Sequence, residues 1–194
     1  MIAYVKGRLV EKNPTYVIIE TNGIGYHLNI SLNTYSSRLP AEEDCKLFTE
    51  FVVREDAQIL YGFQSQAERE LFRLLTSVSG VGPSTAMMVL SAGQASEIQE
   101  AIIGGDVAWF KSVKGIGPKS AQRIIIDLKD KVGKVEAGED ILPSEGNTTK
   151  EEALSALVML GFNKNQAEKV VSKHLRKQPN LSVEDVIKYA LKGL

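Results

Sequence analysis

Tyr26, Leu28, Ile30 and Leu32 alternate with His27, Asn29 and Ser31, a period of two that predicts a half-buried strand. Upstream, residues 16–20 are rich in β-branched and aromatic side chains, and Thr21-Asn22-Gly23-Ile24-Gly25 supplies a hairpin turn. Residues 2–10, 46–53 and 58–63 complete about five short strands within the first 63 positions. So many strands in so short a stretch fit a small β-barrel. Pattern alone leaves an oligonucleotide-binding (OB-fold) barrel and an SH3-like barrel both open.

From Gln64 onward the apolar spacing becomes helical. Ala67, Leu71, Leu74, Leu75 and Val78 share a face, and Met87, Met88 and Leu90 continue it as core. The stretch 101–110 then leads towards Ile124, Ile125 and Leu128. Trp109 reads as a core anchor rather than a base-stacking platform. Composition shifts at 135–148, where Glu136, Glu139, Asp140 and Glu145 occur with Gly138, Pro143 and Gly146 and no basic residue. That predicts a flexible acidic linker. Beyond it, Leu154, Leu157 and Val158 line a helix that Gly161 ends. Asn163 with Gln166 and Ser182 with Asp185 are capping pairs for two further helices. Val170, Val171, Leu175, Val186, Ile187 and Leu191 fill their shared core. The expected organisation is multidomain α+β: a barrel (1–63), a helical segment (64–134), a linker (135–148) and a three-helix bundle (149–194).

Within the helical segment lies a near-repeat, Ser77-Val-Ser-Gly-Val-Gly-Pro-Ser-Thr-Ala86 and Ser112-Val-Lys-Gly-Ile-Gly-Pro-Lys-Ser-Ala121. Each copy predicts a tight glycine turn between two helices, with Pro83 or Pro118 at the first helical position. The N–H groups left free at such a helix start attract phosphate. Two copies of one backbone clamp point to a nucleic-acid backbone. Neither copy has the Gly-x-x-x-x-Gly-Lys-Ser/Thr spacing of an ATP-binding P-loop.

Net charge of −1 looks unfavourable for such a ligand, but the total conceals a distribution. Residues 1–63 hold six basic and eight acidic residues, 64–134 nine and seven, and 135–194 eight and nine. Only the hairpin segment is positive, with Lys111, Lys114, Lys119, Arg123, Lys129, Lys131 and Lys134 crowded around the second copy. Phosphate binding depends on local charge and counterion release. The single Cys45 excludes an internal disulfide. No apolar run approaches a membrane span and the N-terminus lacks the form of a signal peptide, so a cytoplasmic protein is expected.

The order of parts resembles the RuvA family, the bacterial subunits that recognise Holliday junctions in branch migration. The most specific stretch is Phe51-Val-Val-Arg-Glu-Asp-Ala-Gln-Ile-Leu-Tyr-Gly-Phe63, supported by Met1-Ile2, Lys6-Gly7 and Gly23-Ile24-Gly25-Tyr26. The resemblance implies an OB-fold barrel, tandem helix-hairpin-helix DNA-binding elements and a bundle similar to ubiquitin-associated domains. It implies a homotetramer, or an octamer when a second tetramer covers the other face, matched to an opened four-way junction in recombination, DNA repair and the SOS response. DNA contacts carry over as Gly80, Val81, Gly82 and Ser84, and as Gly115, Ile116, Gly117, Lys119 and Arg123. Glu55 and Asp56 would form an acidic pin that repels phosphates at the crossover, with Arg54 steering a strand towards the pore. Ser84 departs from the lysine usual in the family, so the first hairpin would rely on backbone contacts. The bundle would dock the hexameric ATPase RuvB, with Leu154, Leu157, Leu160, Phe162 and Val170 as candidate contacts. The resolvase RuvC is a further implied partner.

Catalysis is not expected. Asp127 and Asp130 lie in a regular helical stretch rather than a glycosylase pocket, and one Cys with His27 and His174 supplies no metal set. No cofactor is expected either. The alternative function is that of a general, non-catalytic architectural protein for duplex DNA, which would share the hairpins but have no use for the acidic tip.

Overall fold

The computed structural model describes residues 2–37, 39, 45–132, 149–178 and 181–191. Two compact units emerge, Met1–Asp140 and Ile141–Leu194.

The first unit begins with strands β1 (Tyr4–Asn13), β2 (Tyr16–Thr21) and β3 (Ile24–Ile30), followed by a short helix α1 (Leu32–Ser36) and strands β4 (Cys45–Val53) and β5 (Gln58–Phe63). They close into a barrel of order β1-β2-β3-β5-β4, in which only β3 and β5 run parallel. This Greek-key order is the OB-fold arrangement. Asn22 (φ 50°) and Gly23 (φ 81°) both sit at positive φ, the backbone a two-residue hairpin turn demands. Val5, Val17, Ile19, Leu28, Ile30, Cys45 and Leu47 fill the barrel.

Two strand ends differ from the sequence reading. β1 continues past Val10 because the register shifts between Leu9 and Glu11, letting Lys12 and Asn13 keep pairing with β2. Leu32 is not the last residue of β3. Ser31 instead caps α1, accepting from the Thr34 N–H, and Leu32 is exposed.

Helices α2 (Gln66–Ser77), α3 (Pro83–Ala92), α4 (Ala95–Gly104), α5 (Val107–Ser112) and α6 (Pro118–Val132) follow. The stretch 101–110 is thus two helices. Gly105 at φ 72° ends α4, and the Asp106 side chain caps α5 at the Trp109 N–H. Tyr61 and Phe63 of β5 share one core with Leu71, Phe72, Leu75, Ile98, Ile102, Phe110 and Ile124, and Trp109 packs against it. Met88, expected in that core, is 36% exposed. Its side chain points across to the second glycine turn, where the Met88 Cε lies 3.2 Å from where a Cβ on Gly115 would stand.

Barrel and helices are also joined by a buried polar node. Glu68 accepts from Ser31 Oγ (2.6 Å), Thr34 Oγ1 (2.9 Å) and the Gln64 N–H (3.1 Å). Burial pushes its carboxyl above the ordinary value, and the three hydrogen bonds oppose that shift. Beside the node, Asn33 Nδ2 donates to the carbonyls of Leu90 and Gly93, each at 2.6 Å.

The second unit packs α7 (Thr149–Met159), α8 (Lys164–Lys177) and α9 (Val183–Leu191) around Ala153, Leu157, Ala167, Val171, Val186 and Ala190. Three alanines in that core let the helices approach closely. Gly161 (φ 95°) turns the chain after α7, with the Phe162 N–H bonded to the Leu157 carbonyl at 3.1 Å. Asn163 and Ser182 cap the next two helices. Val158 and Leu191, expected to face inward, are exposed. The alanines narrow the apolar stripe, and Leu157 fills the inward place beside Val158.

Candidate nucleic-acid interface

The repeat becomes two turns with the same hydrogen-bond pattern. In the first, the Val78 N–H bonds to the Leu75 carbonyl, the Val81 N–H to Val78 and the Ala86 N–H to Gly82, at 3.1, 3.0 and 2.9 Å. In the second, Val113 bonds to Phe110, Ile116 to Val113 and Ala121 to Gly117, at 3.2, 3.2 and 2.9 Å. Gly80 (φ 89°) and Gly115 (φ 90°) occupy the left-handed region that side chains resist. Val81 and Ile116 are buried, anchoring each turn to the core. As DNA contacts these two offer main chain only, because burial removes their side chains from the surface.

What each turn presents outward is backbone. Gly82 caps α3 without any side-chain hydrogen bond, and Pro83 occupies the first turn. Ser84 and Thr85, and Lys119 and Ser120, hold the next first-turn N–H groups, which a helix cannot satisfy internally. A Cβ added to Gly82 or Gly117 would meet nothing within 4 Å. Open space at both glycines admits a phosphate close to the main chain.

Charge divides the hairpins. Arg69 and Arg73, counted in the positive segment, turn to the barrel instead. Arg73 pairs with Glu50 at 2.7 Å and Glu70 at 2.6 Å, and Arg69 donates to the Ala3 carbonyl and lies over the Phe48 ring. No lysine or arginine occurs from 74 to 110, so the first hairpin carries no cation of its own. Lys111, Lys114 and Lys119 are exposed around the second hairpin and form no ion pair among the described residues. Arg123 is exposed too, held loosely by Asp127 at 3.7 Å. Ser84 is exposed at the first hairpin. Lys134 lies outside the described residues, as does the acidic stretch 135–148.

At the far end of β4 and β5, the Val53–Gln58 pair closes the ladder. The Arg54 N–H donates to the Ala57 carbonyl at 2.8 Å, forming a four-residue tip. Arg54, Glu55 and Asp56 all project from it into solvent. The two adjacent carboxylates give the tip a concentrated negative charge.

The candidate docking residues of the second unit separate by burial. Leu157 is fully buried and offers no surface, while Leu154, Phe162 and Val170 pack against the core and are only partly accessible. Leu160 is 61% exposed, and beside it Met159 is 87% exposed. Sequence reading missed Met159 because an apolar residue in a helix reads as core until its direction is known. Met88 was missed as a contact between hairpins for the same reason.

Among the described residues no cluster of His, Cys, Asp and Glu could hold a metal ion, and no helix is long and apolar enough to cross a membrane.

Comparison with known proteins agrees along the chain. Residues 1–62 match the RuvA N-terminal domain, 72–130 a SAM-like helix-hairpin-helix tandem, and 149–194 the RuvA C-terminal domain. Among similar proteins, the Holliday junction branch migration complex subunit RuvA of Christiangramia forsetii is 57% identical over 194 residues. The subunits of the same description from Flavobacterium psychrophilum and Bacteroides thetaiotaomicron are 51% and 47% identical. Each alignment covers 100% of both chains. Identity at this level along the full chain, with the barrel, the paired turns and the three-helix unit each matched in order, establishes that the chain belongs to the RuvA family.

Proposed function

We propose that this chain binds four-way DNA junctions by structure, holds them open and square, and recruits a RuvB-type hexameric ATPase for branch migration. The observation carrying the reading is the pair of turns with the same hydrogen bonds and the same open glycine approach. Two such clamps on one rigid core suit two phosphates of one duplex arm, read without reference to base sequence. The chain acts as the non-catalytic subunit, and the motor belongs to the partner.

Gly80, Val81, Gly82 and Ser84 form a neutral clamp through main-chain N–H groups and one hydroxyl. Gly115, Ile116 and Gly117 form a second, to which Lys119 and Arg123 add charge, with Lys111 and Lys114 close in sequence. Glu55 and Asp56 sit where strands must part, repelling phosphates, and Arg54 attracts the separated backbone. Four subunits around the crossover supply one clamp pair per arm, and an octamer covers both faces. Residues 1–63 act as barrel and pin, 64–134 as clamp, 135–148 as tether and 149–194 as dock. In the dock, Met159 and Leu160 are the accessible apolar contacts for RuvB, with Phe162 at the edge.

The test is competition. Labelled four-way junction is bound by the chain and challenged with excess linear duplex of the same sequence, at moderate salt with Mg²⁺. Survival of the junction complex is expected. Equal competition by duplex would reduce the protein to a general architectural binder.

A further inference from the structure

Two clamps can hold one duplex arm only if their spacing is set, and the first hairpin has no cation to compensate for a poor fit. What sets that spacing is visible where α3 meets the second hairpin. Trp109 of α5 reaches to the end of α3, its Cζ2 lying 2.8 Å from where a Cβ on Gly93 would stand. In the opposite direction, Met88 of α3 reaches the second turn, its Cε 3.2 Å from the corresponding point on Gly115. Each hairpin therefore lays one side chain on a glycine of the other. A larger residue at Gly93 would force a shift, and at Gly115 it would meet both the Met88 tip and a left-handed backbone. Gly93 is buried beneath its partner, whereas Met88 stays 36% exposed between the turns.

The geometry points to Met88 as a positioning residue for DNA binding, one that seats the Gly115 turn and holds the second clamp at a fixed distance from the first. Trp109 over Gly93 is the half of the same register that packs, partly buried, against the core. Met88 is the more accessible half, standing 36% exposed between the turns. Its unbranched thioether suits the role, reaching the turn without the crowding a branched side chain would bring. This rests on the reading of both hairpins as phosphate clamps.

Met88→Ala and Met88→Leu are compared with the wild-type chain, each alone and combined with Lys119→Glu, which sets a negative charge against phosphate at the second clamp. Affinity for a four-way junction is measured at fixed salt. Met88→Ala should weaken binding about three- to ten-fold in the otherwise wild-type chain, the scale expected of directly coupled sites. With Lys119→Glu present the loss should be smaller, because a second clamp that repels phosphate gains less from being positioned. Met88→Leu, which keeps most of the bulk, should recover most of the loss. Hydrogen exchange on the free protein provides a readout independent of DNA: the amides of 113–117 should exchange faster in Met88→Ala at unchanged melting temperature. Full affinity in Met88→Ala, an equal loss in both backgrounds, or unchanged exchange at the turn would each overturn the role. If the turn loosens but the wild-type chain binds no DNA, the clamp reading is what fails.

Discussion

Replacing Glu68 by alanine removes the acceptor at the joint between barrel and hairpins, and the cost can be worked from its partners. Ser31 and Thr34 are fully buried, so their hydroxyls have no water to turn to. They retain one another at 3.3 Å, but the Gln64 N–H loses its 3.1 Å bond. The buried Thr34 hydroxyl is thereby left unsatisfied, at roughly 1–3 kcal/mol, while the Gln64 N–H, on an exposed residue, can turn to water. Losing the carboxylate also relieves its own desolvation, so the net cost should be about 1–3 kcal/mol. That is a large part of the roughly 5–15 kcal/mol typical of a domain. Trp109 is the sole tryptophan and packs against the core of this unit, so its fluorescence during urea denaturation follows the relevant transition. The midpoint should fall by about 0.5–1.5 M. The same site gives a pH signature. Because the folded-state pKa of Glu68 is raised, its contribution is complete below the unfolded pKa and is lost as pH rises through the folded value. Stability of the wild-type chain should therefore decline across that window, and Glu68→Gln should abolish the decline. A loss below about 1 kcal/mol in Glu68→Ala would refute the reasoning, since an unsatisfied buried hydroxyl cannot be that inexpensive.

Four further outcomes test the interface and its turns. Glu55→Gln with Asp56→Asn should leave DNA binding intact or stronger while reducing the preference for junction over duplex in competition; an unchanged preference would remove the pin. Lys119→Ala should weaken all DNA forms alike and lower the slope of log K against log salt by about 0.9, the value for one phosphate no longer neutralised. Gly82→Ala should barely alter the melting temperature, since its φ of −86° and open surroundings accept a methyl group, yet it should impair DNA binding by blocking the backbone approach. Gly115→Ala should instead destabilise the fold by about 1–2 kcal/mol through its left-handed backbone, which separates the conformational glycine from the contact glycine.

Local spacing is enough to find the strands, the paired turns and the three terminal helices, because each rests on rules acting within a few residues. A period of two, Asn-Gly at a hairpin and Gly-x-Gly-Pro at a helix start leave little choice to the backbone. The family, too, is legible in the 51–63 stretch. Tertiary structure alone decided which barrel formed, since the parallel pairing of β3 with β5 joins strands far apart in the chain. It also decided the true charge of the clamps. Arg69 and Arg73 add to a positive count, yet both are committed to the barrel, leaving one cationic and one neutral hairpin. Met88, Val158 and Leu191 have the spacing of core residues and face outward, while Leu157, a candidate for the docking surface, is sealed in the core. Hydrophobicity records that a residue can be buried. Which way it points depends on where neighbouring helices cross, and that is set by long-range packing no local pattern contains.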